Sequence, residues 1–354
     1  MNNTHELEAK IDALLDIEKE RLIKKRENAK ELFAQIKEIT DDLEDRKRIY
    51  AKYQQLVGLG EIPENTLRGI LTKGWNLSGF TSFRSLITLD TCRRKAEECY
   101  SAWPMNDKAN AVKFTDKLSV PRPQIFQSAI SLEEISIPKY PCIIKPLFAA
   151  TSQGVHIAFA PNKFKVVRNG AIVDSLDKVK ERLRGALKSK AVSKDVWQVE
   201  ELIADVDGDN IRAARDLKFY CFYGKVGMVL EVEREKGAKF RTWLPDGTLA
   251  HAAEFKESHD FAVTRFGEDE VSLVERISKE IPVPFVSIDF LKTNNRMVFC
   301  EFTPRPGVFG QYKAAFDAYL GGMYIAAEAR LQKDLVEGKK FTIYHDYLAE
   351  IGAK

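Results

Sequence analysis

The sequence predicts an α+β chain: a long N-terminal helix, a short helical segment, then a sheet-rich body in which hairpins alternate with helices. Three observations lead there. Residues 4–57 contain neither Gly nor Pro and are dense in charge, as one long helix or two helices in line would be. Asp216–Tyr223, the turn Gly224-Lys225 and Val226–Val232 read as a long hairpin, and Phe285–Gly307 as a second one turning over Lys292–Arg296. Residues 176–188 and 269–280 repeat their apolar positions at helical spacing.

Composition narrows the function classes. The 354 residues are 44% hydrophobic and 30% charged, which fits a soluble globular protein with room for two or three compact units. A net charge of +3 gives no case for nucleic acid. The five cysteines are scattered, without zinc spacing, and read as reduced thiols of a cytoplasmic protein. The N-terminus is not a signal peptide, and no apolar run reaches membrane-spanning length.

Within the first helix Ala29, Leu32, Ile36, Ile39, Leu43, Tyr50, Tyr53 and Val57 recur at steps near three and four, with Arg46 as the polar break. Leu7, Ile11, Leu14 and Leu22 give a rougher version upstream. The repeat predicts a coiled-coil seam, either in a homo-oligomer or folded back on its own domain. The basic run Arg21–Lys30 is interspersed with glutamates and reads as a solvated face. Residues 58–105 form a pre-domain segment with short helices starting near Glu64 and Thr91. The body divides into residues 106–200 and 201–354.

In the body, Asp107 precedes a helix running from Lys108 to Leu118, and Pro141–Lys145 is a buried strand ending in a lysine. The small-residue turn Ala149–Gly154 and the strand Val155–Phe159 follow. A fixed cation beside exposed backbone amides suits a phosphate. Val196–Ile203 is a strand carrying two acids, then a polar loop from Ala204 to Asn210. Asp289 and Glu301 are acids set among apolar strand residues, where an unpaired charge is unfavourable. Two carboxylates on neighbouring strands, with no His or Cys cluster, suit a hard cation such as Mg²⁺. A last helix runs from Lys313 to Leu331, broken at Gly321-Gly322.

Taken in order, Lys108, Lys145, the loop to Gly154, Val-Glu-Glu-Leu-Ile and the Asp289/Glu301 pair resemble the ATP-grasp superfamily over residues 106–331. The likeness is nearest to its TupA-like group, which has similar Asp-x-Lys-Phe and Phe-x-Gly-Lys elements (here Asp216–Lys225). That group also shows Phe-x-Glu-x-Thr (Phe299–Thr303) and Asp-x-x-Leu-Gly (Asp317–Gly321). The resemblance implies two α+β subdomains sandwiching ATP. Lys108 and Lys145 would hold the α- and β-phosphates, and Thr151, Ser152, Gln153 and Gly154 would form a lid. Glu200, Glu201, Leu202 and Ile203 would meet adenine, and Asp216 the ribose. Lys218 would lie near the γ-phosphate or the substrate. Asp289, Glu301 and Thr303 would bind Mg²⁺, two ions bridged by Glu301, with Thr303 where superfamily members commonly use Asn. Those members often place Arg two residues before the metal-binding Asp. Here Ser287 stands there, and Arg241 and Arg305 are the candidates to replace it.

The resemblance implies a ligase joining a carboxylate to an amine through an acyl phosphate, in cell-envelope polysaccharide or specialised peptide synthesis. A phosphotransferase and a non-catalytic nucleotide-binding assembly protein are the alternatives. Arg212, Arg215, Arg234, Arg241, Arg265 and Arg305 are expected to line the acceptor side.

Overall fold

A computed structural model describes residues 2–40, 42–97, 102–148, 152–207, 210–233, 238–254, 257–258, 266–307 and 309–353. In chain order the helices are α1 (Asn2–Glu38), α2 (Leu43–Leu56), α3 (Glu64–Thr72), α4 (Phe83–Glu97), α5 (Lys108–Lys117), α6 (Leu176–Lys188), α7 (Glu268–Lys279), α8 (Ala314–Val336) and α9 (Thr342–Ile351). The strands are β1 (Ile125–Ile130), β2 (Cys142–Pro146), β3 (His156–Ala160), β4 (Lys163–Val166), β5 (Ile172–Val173), β6 (Trp197–Glu201), β7 (Ala204–Asp207), β8 (Asn210–Ala213), β9 (Arg215–Cys221), β10 (Val226–Glu233), β11 (Lys239–Trp243), β12 (Val286–Lys292) and β13 (Met297–Thr303). None of the described helices is long and apolar enough to cross a membrane.

The chain forms two compact units, Met1–Cys99 with Gly307–Ala329, and Tyr100–Pro306 with Arg330–Lys354. In the first, α1 and α2 do not run on in line. Ala29, Phe33 and Ile36 share one core with Tyr50, Tyr53, Val57, Ile70 and Phe80, so α2 returns beside α1. The break lies between them, where the Asp42 carboxylate accepts from the Asp45 amide at 2.9 Å and starts a new helix. Lys25 meets Glu61 at 2.5 Å, close to where the returning chain ends. Of the predicted seam, Ala29, Ile36, Tyr50, Tyr53 and Val57 are closed within the chain, with Phe33 joining them, while Leu32 and Leu43 stay exposed. Arg46 covers the Trp75 ring at 5.3 Å and donates to the Ile39 carbonyl, which explains a charge inside an apolar repeat.

Helix α4 starts at Phe83 rather than near Thr91. The Asp317 carboxylate accepts from the Arg84 amide at 2.9 Å, filling a free donor of its first turn. Gly321 and Gly322 do not break α8, which runs through them. They allow contact instead: a Cβ on Gly321 would lie 2.5 Å from Thr81 Oγ1 and 2.9 Å from the Ser82 amide nitrogen. The Asp-x-x-Leu-Gly element thus joins two helices of this unit. Gly321→Ala is expected to destabilise that contact by about 2 kcal/mol through overpacking against backbone. Gly185→Ala in α6, where a Cβ would meet nothing within 4 Å, should instead gain up to about 1 kcal/mol of helix propensity. Hydrogen exchange of α8 and α6 amides in the two variants checks both signs.

The second unit holds two antiparallel sheets, ordered β1-β6-β2-β3-β4-β5 and β11-β10-β9-β12-β13, and the small ribbon β7-β8. That ribbon occupies the segment expected as a polar loop; Val206 pairs with Ile211 across it. Strands β1, β4 and β5 and helix α9 are further elements that the sequence pattern does not predict. One face of the first sheet buries Cys142, Ile144, Trp197 and Val199 with Val179 and Leu183 of α6. In the second sheet Phe219, Phe290 and Phe302 occupy one face, with Phe114 of α5 at 5.8 Å from Phe302 and 5.4 Å from Tyr347 of α9. Because side chains alternate, burying these rings turns Lys218 and Asp289 to the other face.

Candidate functional site

The site grows from the register of three strands. Asp289 lies directly opposite Glu301 across β12 and β13, and directly opposite Lys218 across β12 and β9. Paired residues share a face, so two acids and a lysine stand side by side. Ser287 pairs with Thr303 on the same face, and its hydroxyl donates to Asp289 Oδ1 at 2.8 Å. Lys218 takes the other carboxylate oxygen. The register slips after Asp289 and leaves Cys300 as a bulge residue beside Glu301.

Asp289 is 2% exposed. Burial raises its carboxyl to about 6; Lys218 opposes the rise and Glu301 adds to it. Burial disfavours the charge on Lys218, but Asp289 outweighs it and holds the ammonium above its usual range. Lys108, in the first turn of α5 after the Asp107 cap, reaches Glu301 at 3.5 Å. Burial disfavours its charge as well, while Glu301 and Cys300 raise it.

The other sheet supplies the second wall. Lys145 at the end of β2 and Glu200 on β6 form an ion pair, and Gln198 donates to the free oxygen of Glu200. Lys108, Lys145, Glu200, Leu291 and Cys300 line one cavity of about 280 Å³. An adjoining cavity of about 170 Å³ is lined by Ile143, Ile157, Glu200 to Ile203, Asp216 and Leu291. Its lining is mostly apolar with a few acids, the chemistry that suits a heteroaromatic ring carrying polar substituents. The Glu201 side chain is engaged elsewhere, accepting from Arg296 at 2.6 Å and from the Gln124 amide at 3.1 Å.

Ser152, Gln153 and Gly154 lead into β3, and Gly154 has φ +71°, with Val192 and Trp197 close to where a Cβ would sit. The His156 ring is held at 3.1 Å from the Gly154 carbonyl. Thr151 lies outside the described residues.

Of the arginines expected on the acceptor side, Arg241, Arg212 and Arg215 are each paired with an acid. Leu230 is opposite both Lys218 and Thr242, so alternation puts Arg241 on the face away from Lys218. Arg241 pairs there with Glu231 at 3.8 Å, and Trp243 donates to the same carboxylate at 3.0 Å. Arg212 and Arg215 are bound by Asp205 and Glu233, each at 3.0 Å, while Arg234 and Arg265 lie outside the described residues. Arg305 is exposed just after β13. Arg241→Met is therefore expected to lower stability by about 3 kcal/mol, because it breaks a buried ion pair with Glu231. Urea unfolding and nucleotide affinity of the folded protein, measured together, check that only the first moves.

Among the described residues no group of three or more His, Cys, Asp or Glu assembles into a self-sufficient metal site. The donors on offer are hard oxygens: Asp289, Glu301 and the Thr303 hydroxyl. A cation of the Mg²⁺ kind is held by one or two carboxylates together with phosphate oxygens, so this donor set fits it as a partner of a bound nucleotide.

Comparison with known proteins follows the same lines. A family model described as TupA-like ATPgrasp matches residues 88–325. No curated protein matches significantly in sequence. Similar solved structures include a D-alanine–D-alanine ligase from Bacillus anthracis complexed with ATP, at 15% identity and TM-score 0.38, covering 66% of this chain and 69% of that one. The ATP-grasp ligase PsnB complexed with minimal precursor is similar at 13% identity and TM-score 0.35, over 64% of this chain and 62% of its own. An L-amino acid ligase from Bacillus licheniformis follows at 12% identity and TM-score 0.33, over 58% and 41%. With the family match spanning well over half of its length, the chain belongs to the TupA-like ATP-grasp family.

Proposed function

We propose that the protein is an ATP-dependent ligase that joins a carboxylate to an amine and releases ADP and phosphate. The observation that carries this is the register placing Lys218, Asp289 and Glu301 side by side on one sheet, in the same unit as the cavity lined by Lys108 and Lys145. A carboxylate is a poor electrophile. Transfer of the γ-phosphoryl group makes it an acyl phosphate, and the amine then displaces phosphate as it forms the amide.

The residues act by charge and position rather than as strong acids or bases. Lys108 and Lys145 receive the phosphates, and Lys218 follows the charge that builds on the transferred group. Asp289, Glu301 and Thr303 would hold Mg²⁺, which would neutralise phosphate charge when bound. The mostly apolar cavity beside Glu201–Ile203 takes adenine, and Asp216 in its lining meets the ribose. Ser152 to Gly154 close over the phosphates and keep water from the acyl phosphate. Ser287 replaces the usual arginine with a neutral clamp on Asp289, and Arg305 is the arginine assigned to the reacting phosphate.

The acid is a uronic or amino acid and the amine an amino acid or amino sugar, in cytoplasmic steps of envelope polysaccharide or specialised peptide synthesis. The test supplies Mg·ATP with pooled amino acids, uronic acids and amino sugars. ADP and free phosphate should appear together, with an amide detected by mass. ADP without free phosphate would make the protein a phosphotransferase, and ATP bound but never consumed would make it a nucleotide-binding assembly protein.

A further inference from the structure

Helix α1 reaches its own unit only through its second half: Lys25 meets Glu61, and Ala29, Phe33 and Ile36 join the core. The same stripe continues toward the N-terminus as Leu22, Leu15, Leu14, Ile11 and Leu7, all within a sixth of a turn of it on a helical wheel. There it faces solvent, with Leu14 65% exposed and Leu7 57% exposed. An amphipathic helix derives most of its stability from a partner along its apolar face, and this half has none in its own chain among the described residues.

The charges around the stripe say what the partner is. Residues 6–18 carry five acids against Lys10, and residues 19–30 carry six bases against Glu20 and Glu27. The helix is thus acidic in one half and basic in the other, with the division inside the apolar stripe. Such a surface complements itself when two copies run antiparallel and repels itself when they run parallel. We propose that residues 4–24 pair antiparallel with the same segment of a second copy of this chain, about a two-fold axis near Leu14 and Leu15. Leu7 of one copy then lies beside Leu22 of the other, and Glu8 and Asp12, on one flank of the stripe, lie along Lys19 on the same flank of the other copy. The Glu18 carboxylate, the one acid in the stripe, is already met by Arg21 of its own helix at 2.6 Å. This pairing does not depend on the ligase reading.

Sedimentation equilibrium of the full chain tests it. The wild type should be a dimer of twice 40.2 kDa at low salt, with weaker dissociation constants as salt rises. Ile11→Asp with Leu15→Asp, both at exposed positions, should be monomeric with an unchanged melting curve. Direction is read by swapping charges. Glu8→Lys/Asp12→Lys alone, and Lys19→Glu alone, should each weaken the dimer, the first about tenfold or more, and all three together should restore it. Parallel strands, which place like on like in every variant, would show neither loss nor rescue. A monomeric wild type, a dimer that survives the two aspartates, or single swaps without effect would each overturn the proposal. So would a monomer that cosediments with anionic vesicles through its basic half, which would give the stripe to a membrane.

Discussion

Glu301→Ala is expected to lower nucleotide turnover about 10³-fold, or about 4 kcal/mol of transition-state stabilisation, with little change in folding. Two features set the size. Glu301 is directly across from Asp289, so its loss removes one of the two carboxylates in the hard-oxygen donor set. It also leaves Lys108, which reaches Glu301 at 3.5 Å, free to move off the phosphate position. The fold should tolerate the change because Glu301 is only partly buried and its strand is held by Phe299 and Phe302 on either side. Glu301→Gln separates the two effects: the amide keeps the shape and still accepts a hydrogen bond from Lys108, yet it is a poor ligand for a hard cation. Turnover should fall in Gln nearly as far as in Ala, with equilibrium binding of ATP in EDTA close to wild type. Wild-type turnover in either variant would remove Glu301 from the site.

These carboxylates were legible because period-2 alternation leaves an acid in a buried strand no ordinary explanation. Asp289 sits between Ile288 and Phe290, and Glu301 precedes Phe302, so the pattern itself marks them. Lys145 was legible for the same reason, as the charged end of an apolar strand. Arg241 shows the limit of that reasoning. Which face of β11 looks toward the acids depends on the pairing of β10 with β9, and composition does not encode it. Cys300 gave no signal at all, since a bulge appears only once both strands are paired.

Fold errors came from long-range partners overriding local pattern. The steps of three and four over residues 29–57 are satisfied as well by a helix that turns back as by one that continues. Only the Asp42 cap separates the two, and Asp is ordinary in a charged helix. Gly321 and Gly322 look like helix breakers until Thr81 and Ser82 occupy the space that side chains would fill. The hairpin turn expected at Gly224-Lys225 falls one residue earlier, at Tyr223-Gly224. Tyr223 and Gly224 both have positive φ, at 38° and 81°, the conformation of a tight two-residue hairpin.

Lys145→Ala is expected to reduce turnover by a similar factor, about 10³-fold, but to do so with a different signature. Its ammonium pairs with Glu200 at the wall between the two cavities, and Gln198 holds the remaining Glu200 oxygen. The pair is largely shielded from water, with side-chain exposures of 19% and 9%. Truncating the lysine therefore removes the cation facing the phosphates and leaves a buried carboxylate whose remaining donor is neutral. That carboxylate repels the phosphates, so ATP binding should weaken as well as turnover, unlike Glu301→Ala in EDTA. Adding Glu200→Gln to Lys145→Ala should recover much of the lost ATP affinity, because it takes away the uncompensated charge, while turnover stays low for want of the ammonium. Lys145→Arg tests position against charge: a planar guanidinium keeps the charge but not the compact point contact, and should restore affinity more than rate. Titration calorimetry with ATP, beside phosphate release, distinguishes these outcomes. If Glu200→Gln worsens affinity further in the Lys145→Ala background, then Glu200 binds the nucleotide directly and its pairing with Lys145 is incidental.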